Sequence, residues 1–314
     1  MLKKRLLFFI LAIALALSLI GCSNTDILHD GTGQKSTEAV TNAFPFTVTD
    51  SYDRQVEIAA EPQRVISIAP NITEIIFSLD RSEKLVGRSE YCDFPEKAAD
   101  IASIGSLTEP SMEKIAELKP DLVIASTHFA KETVQRLEEL GIKVVVFYGE
   151  ESFEGVYDTI GKVGTVLNAE ENARKLVSEM KIKVQNVLDK VKDKPQPSVY
   201  YVVSFGKTGD YTAGGDTFIG HMLELAGGRN TAGDVTGWAY SLEKLTEKNP
   251  ELIICSKYYN SKQGIENTNG YKELEAVRAG RLYEIDSNLL DRQGPRLAQG
   301  LEELARIIHP EVFK

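Results

Sequence analysis

Residues 168–194 read NAEENARKLVSEMKIKVQNVLDKVKDK, and this stretch decides the fold. Ala173, Leu176, Val177, Met180, Val184, Val187, Leu188 and Val191 recur at the spacing of one helical face, the apolar stripe of a single amphipathic α-helix. Lys175, Glu179, Lys181, Lys183, Asn186 and Lys190 fall off the stripe and face water. Asn168 is the expected N-cap, and Glu170 and Glu171 occupy the first turn, where the helix dipole favours anions. Pro195 and Pro197 bar any continuation. At ~1.5 Å per residue the helix is a rod of roughly 35 Å. It lies centrally, with a similar α/β pattern on either side.

Upstream, residues 46–58 read as a β-hairpin turning at Asp50–Asp53. Strands are then expected over 65–69, 121–125 and 143–147. Helices are expected over 72–79, 112–118, 132–140 and 153–167. Asn71 with Glu74 three residues on has the form of a capping box for the first of these helices. Downstream, strands over 199–203, 252–255 and 282–285 alternate with helices over 217–226, 242–248 and 295–308. Such alternation implies largely parallel sheets covered by helices.

The chain starts differently. Lys3, Lys4 and Arg5 precede an apolar run over 6–20, the form of a secretory signal. The run is too short for a comfortable spanning helix of ~20 residues. It ends in Leu19-Ile20-Gly21-Cys22, which resembles the bacterial lipoprotein box. That resemblance implies cleavage before Cys22, acylation of its thiol and new amino group, and an extracytoplasmic body anchored to the membrane. Residues 22–43 lack an apolar period and read as a flexible tether, in which His29 has no specific role.

Without the leader's three cations the formal charge of −10 becomes −13, which argues against nucleic acid as a partner. The remaining length suffices for two lobes with separate cores, 44–167 and 195–314, joined by the 168–194 helix. Cys92 and Cys255 show neither metal nor disulfide spacing and are expected to be buried as small apolar residues.

Residues 112–126, MEKIAELKPDLVIAS, lie over 242–256, LEKLTEKNPELIICS, with seven of fifteen positions identical. Each copy is a short helix, a proline and a buried strand. Two lobes of similar build follow, with Glu113 and Glu243 in equivalent places. A rod free of proline and glycine between them restricts hinge motion, so closure is expected to be small.

RVISIAPNITEIIFSL (64–79), VGRSEYCDFP (86–95), the two repeats, TAGGDTFIGHMLELAGGRN (212–230) and DRQGPRLAQGLEELARIIHPE (291–311) together resemble the helix-linked (class III) solute-binding proteins of ABC importers. The likeness is strongest to the cobalamin (vitamin B12) branch; relatives serve ferric siderophores and haem. It implies a monomer with the ligand between two α/β lobes, no cofactor of its own, and a permease dimer with ATPase subunits as partner. In that family glutamates placed like Glu113 and Glu243 dock the permease.

Broad corrinoid or haem rings need flat aromatic faces and a few cations or amides, held by loops at the carboxyl ends of strands. Tyr91 resembles the aromatic that faces the ring in the cobalamin branch. Phe205 and Tyr211, in SFGKTGDYTAGG (204–215), resemble a further pair, and Trp238 matches an aromatic on the loop before the second repeat. Arg292 corresponds to a basic residue near the ligand's polar edge, with Asn288 beside it. Leu107 stands where the cobalamin pattern has an aromatic. His128, just past a strand, is a candidate axial ligand to a metal centre. His221 and His309 are expected in helices and read as structural or exposed. Three scattered histidines without a clustered carboxylate do not form a bare zinc or manganese site.

An extracellular α/β enzyme is the contrasting reading. The chain lacks a Gly-x-Ser-x-Gly elbow, a Walker-type loop and a His-Glu-x-x-His helix. Gly214-Gly215 before Asp216 could present N–H groups to an anion, which suits binding better than turnover.

Overall fold

The computed structural model describes residues 43–314; the leader, Cys22 and almost all of the tether lie outside the described residues. The hairpin forms as expected, β1 (Phe46–Thr49) against β2 (Gln55–Ile58). The first α/β lobe follows as β3 (Val65–Ser67), α1 (Pro70–Ser78), β4 (Leu85–Arg88), α2 (Met112–Leu118), β5 (Leu122–Ala125), α3 (Lys131–Glu139), β6 (Val144–Val146) and α4 (Phe153–Val166). Its four strands pair in parallel in the order β4-β3-β5-β6. β3, β5 and β6 are buried along their whole length. Their largely Val/Ile/Leu character, with only Ser67 and Ala125 departing from it, follows because helices or loops cover both faces of a parallel sheet.

Next comes the rod, α5 (Glu170–Val191). The second lobe is β7 (Ser198–Ser204), β8 (Tyr211–Thr212), α6 (Phe218–Leu225), β9 (Arg229–Asn230), α7 (Leu242–Lys248), β10 (Leu252–Ser256), α8 (Ser261–Asn267), α9 (Glu275–Arg278), β11 (Leu282–Ile285), α10 (Asn288–Asp291) and α11 (Leu297–Ile308). Its sheet runs β11-β10-β7-β8, with β9 also on β7, and only β8 is antiparallel.

The sequence repeat is a structural repeat. Ser111 Oγ accepts the Lys114 N–H at 3.3 Å, and Ser241 Oγ accepts the Lys244 N–H at 3.1 Å, so α2 and α7 are capped alike. Each ends on a left-handed residue, Lys119 or Asn249. Asp121 then accepts the Gln63 N–H at 2.7 Å, while Glu251 accepts the Ser198 N–H at 3.0 Å. These acids set matching registers, Val65 beside Leu122 and Val199 beside Leu252.

Three expectations are corrected. Asn168 does not cap α5: Ala169 holds that position, and Asn168 has a left-handed backbone and donates to Glu61. Nor do Asn71 and Glu74 form a capping box. Pro70 enters the first turn of α1, with Ala69 as the cap residue and no side-chain cap bond. Asn71 instead donates to Ser126 Oγ (3.2 Å) and to the Gln293 carbonyl (3.3 Å).

The third concerns the core. The lobes do not have separate cores; one continuous apolar cluster joins Ile75 and Leu79 of α1, Ile160 of α4, Met180 and Val187 of α5, Met222 of α6 and Leu301 of α11. Phe153 and Phe218 meet edge to face across the lobes, 5.6 Å between centroids. The rod's stripe therefore packs into this shared core, and α4 approaches it closely: a Cβ on Gly164 would lie 2.6 Å from that of Ala173. Smaller clusters cover the outer face of each sheet.

Cys92 and Cys255 are free and buried. Burial pushes both thiols up, that of Cys255 to about 12, which leaves them protonated at neutral pH. His309 lies just past α11 rather than within it, buried, with Nε2 3.1 Å from the Gly227 carbonyl; His221 is exposed on α6. No helix among the described residues is long and apolar enough to cross a membrane.

Candidate ligand cleft

In each lobe the repeat helix runs back along the sheet, so α2 and α7 start where the strands end. Between those strand ends lies a cavity of about 360 Å³ with walls from both lobes. Asn71, Leu107, His128 and Tyr148 line one side; Phe218, Trp238, Asp291 and Arg292 line the other. Most follow from position. His128 is held by a left-handed backbone just past β5, and Tyr148 lies two residues past β6. Trp238 is positioned by β8, whose Thr212 N–H donates to its carbonyl at 2.7 Å.

Arg292 is the only Arg or Lys lining the cavity among the described residues, and it is already engaged. Nη1 donates to Glu74 at 3.1 Å and to Asp93 at 2.6 Å, and Nη2 reaches the Tyr91 carbonyl at 3.4 Å. Burial works against its charge, but Asp93 and Glu74 outweigh burial and hold its pKa above the ordinary guanidinium value. Arg296 donates twice more to Glu74, at 2.9 and 2.6 Å, and its guanidinium stacks on Phe94 at 3.8 Å. Glu74 is 2% exposed and ties α1 to α11 and the preceding loop, across the two lobes.

The other sequence candidates are distributed unevenly. Tyr91 is half exposed beside the Arg292 contact without lining the cavity. Tyr211 is exposed on β8 next to the strand bridge to Ala239. Phe205 points away, its ring 5.9 Å from that of Tyr271 and tight against Gly264. Asn288 donates to the Tyr258 hydroxyl, which donates to Asp286. Glu113 and Glu243 are exposed in the first turns of α2 and α7.

Tyr148, Phe218, Glu151 and Asp291 line the cavity without having been singled out in the sequence. Their proximity to strand ends or helix starts is the signal that could have found them. Asp291 is open to solvent by area, yet burial raises its carboxyl pKa. The two agree for a group in a cleft: water reaches it, but the walls displace most of the surrounding bulk. No group of three or more His, Cys, Asp or Glu side chains among the described residues is placed to hold a metal ion.

The cleft is two-sided, with aromatic side chains in its walls. The periplasmic binding protein family model matches residues 65–289, and the chain belongs to that family. It is 32% identical over 318 residues, 99% of each chain, to YvrC of Bacillus subtilis, an uncharacterized ABC transporter substrate-binding lipoprotein. It is 27% identical over 280 residues to a cobalamin-binding protein of Halobacterium salinarum, covering 85% of this chain and 75% of the relative. A solved structure from Staphylococcus epidermidis, described as a "possible" iron-binding (periplasmic solute-binding) protein, is 30% identical. Its TM-score is 0.71, over 80% of this chain and 100% of that one. The family consists of solute-binding transport components, and the protein is not an enzyme.

Proposed function

We propose that the protein is the lipid-anchored, extracytoplasmic receptor of an ABC importer, and that it captures cobalamin or a related corrinoid for delivery to the permease. The observation that carries the ligand class is the state of Arg292. Arg292, the one Arg or Lys that lines the cleft among the described residues, is paired with Asp93 and with Glu74, which it shares with Arg296, so the network is neutral as a whole. The two carboxylates of haem, or a ferric catecholate of high negative charge, would find no free counter-charge there. A corrinoid offers a flat apolar face to Trp238, Tyr148 and Phe218 and a margin of neutral amides to Asn71 and Gln293. The cobalamin-binding relative supports the same reading. A ferric siderophore or haem is the second reading, favoured by His128 in the cavity wall and by the iron-binding description of the Staphylococcus structure.

The visible absorption spectrum of protein purified without its first 22 residues separates these, because corrinoid, haem and ferric catecholate have distinct bands. Titration with cyanocobalamin should show saturable binding, and Trp238→Ala should weaken it by roughly 1–3 kcal/mol through lost aromatic burial. Tight haem binding with none to corrinoid would move the assignment to the second reading.

Anchoring rests on Cys22, outside the described residues, and on the lipoprotein relative. Cys22→Ala is expected to shift the protein from the membrane fraction to the soluble one; unchanged fractionation would defeat lipidation. One acyl chain holds only marginally, so the anchor carries several. Closure on binding is small, because both lobes share the core around α5. Scattering profiles of empty and loaded protein should nearly coincide, and a large compaction would count against this.

A further inference from the structure

The cleft's second charged feature is a pair of acids on opposite walls. Glu151 stands ahead of α4 in the first lobe, and Asp291 ends α10 in the second. Neither makes a salt bridge among the described residues; burial works against the charge of Asp291, and the neighbouring Ser287 and Arg292 favour it. Since Glu74 and Asp93 already balance Arg292 and Arg296, these acids leave the cavity with an excess of negative charge and of hydrogen-bond acceptors.

We propose that Glu151 and Asp291 are specificity-determining residues that face a ligand's margin from both lobes, accept hydrogen bonds from neutral amide N–H groups, and exclude ligands whose margin carries carboxylates. This rests on the cleft being the ligand site, as proposed above. An amide margin supplies donors that a carboxylate accepts. A carboxylate margin supplies only acceptors, and it brings like charge into a cavity of reduced dielectric, where repulsion is stronger than in water. Discrimination of this kind works by disfavouring the wrong ligand as much as by holding the right one.

The test uses two ligand pairs whose members differ by a carboxylate at the margin: cyanocobalamin against its monocarboxylates, in which one peripheral amide loses its N–H donors as it gains charge, and haemin against haemin dimethyl ester, in which the charge changes with no N–H donor in either member. Each is titrated into wild-type protein and Glu151→Gln/Asp291→Asn, with the affinity ratio of neutral to anionic member as the readout. In wild type the neutral member of each bound pair should be preferred by at least about tenfold, less so in high salt. In the double variant the preference should fall about tenfold or more, whatever becomes of the absolute affinities. An unchanged ratio overturns the assignment, as does a wild-type preference for the anionic member. If corrinoids fail to bind at all, the corrinoid reading fails and the amide contacts with it, while the haemin pair still decides whether the two acids exclude a carboxylate margin.

Discussion

Reversing Glu113 and Glu243 together to arginine should abolish uptake and the protein's stimulation of its transporter ATPase, while folding and ligand affinity stay close to wild type. Both carboxylates are exposed, in the first turns of helices that are capped, terminated and paired to their sheets alike. A carboxylate there gains ~0.3–1 kcal/mol from the helix dipole, so reversal costs the fold little. The larger consequence lies outside the molecule. In the proposed import role, equivalent acids on the two lobes would offer a dimeric permease one contact for a basic cluster of each subunit. Charge complementarity of this kind sets orientation and encounter rate, and it weakens with salt. Single reversals should therefore impair uptake partly, and high ionic strength should mimic them. A double variant that binds ligand and supports normal uptake would reduce the glutamates to helix-end residues.

Glu74→Ala should have the largest effect on stability, a loss of about 3–5 kcal/mol, since it strips a buried ion network of its shared acid. Arg292 and Arg296, with side chains only 12% and 15% exposed, would lose that partner, Arg296 altogether and Arg292 in part, because Asp93 remains. Urea unfolding measures this directly, and a loss below about 1 kcal/mol would show that the network is dispensable. Leu in place of Glu74 would not repair it, because two guanidinium groups would still lack their counter-charge.

The longer regular elements, α8 (Ser261–Asn267) excepted, were legible because their burial is periodic or continuous. Parallel strands such as Leu122–Ala125 are apolar on both faces, and the stripe on Glu170–Val191 repeats over about five turns. Strands and helices of two to four residues, such as Tyr211–Thr212 and Glu275–Arg278, carry too few positions for a period to show. Caps failed where a distant partner competed with the local one. Asn71 and Glu74 have the right spacing for a capping box, but their partners lie up to 222 residues away, across the lobes. Periodicity shows that a face is buried, not what buries it, so the shared core was read as two. Within the cleft, Trp238 and Arg292 line the cavity, whereas Phe205, equally plausible as a loop aromatic, turns into its own lobe. A loop position does not fix a side chain's direction. Tyr148 belongs to no stretch that stands out from ordinary strand-end sequence, and Asp291, although it opens the DRQGPR stretch, sits beside an arginine that draws the attention as a ligand contact.

A body whose two halves share one apolar interior has little outline to change when its cargo arrives. In the proposed import role, the transporter then meets empty and filled receptors as near twins and cannot tell them apart by shape at a distance. Empty copies become competitors for the same landing place. Receptor in excess of its ligand would then compete with its own loaded form for the transporter.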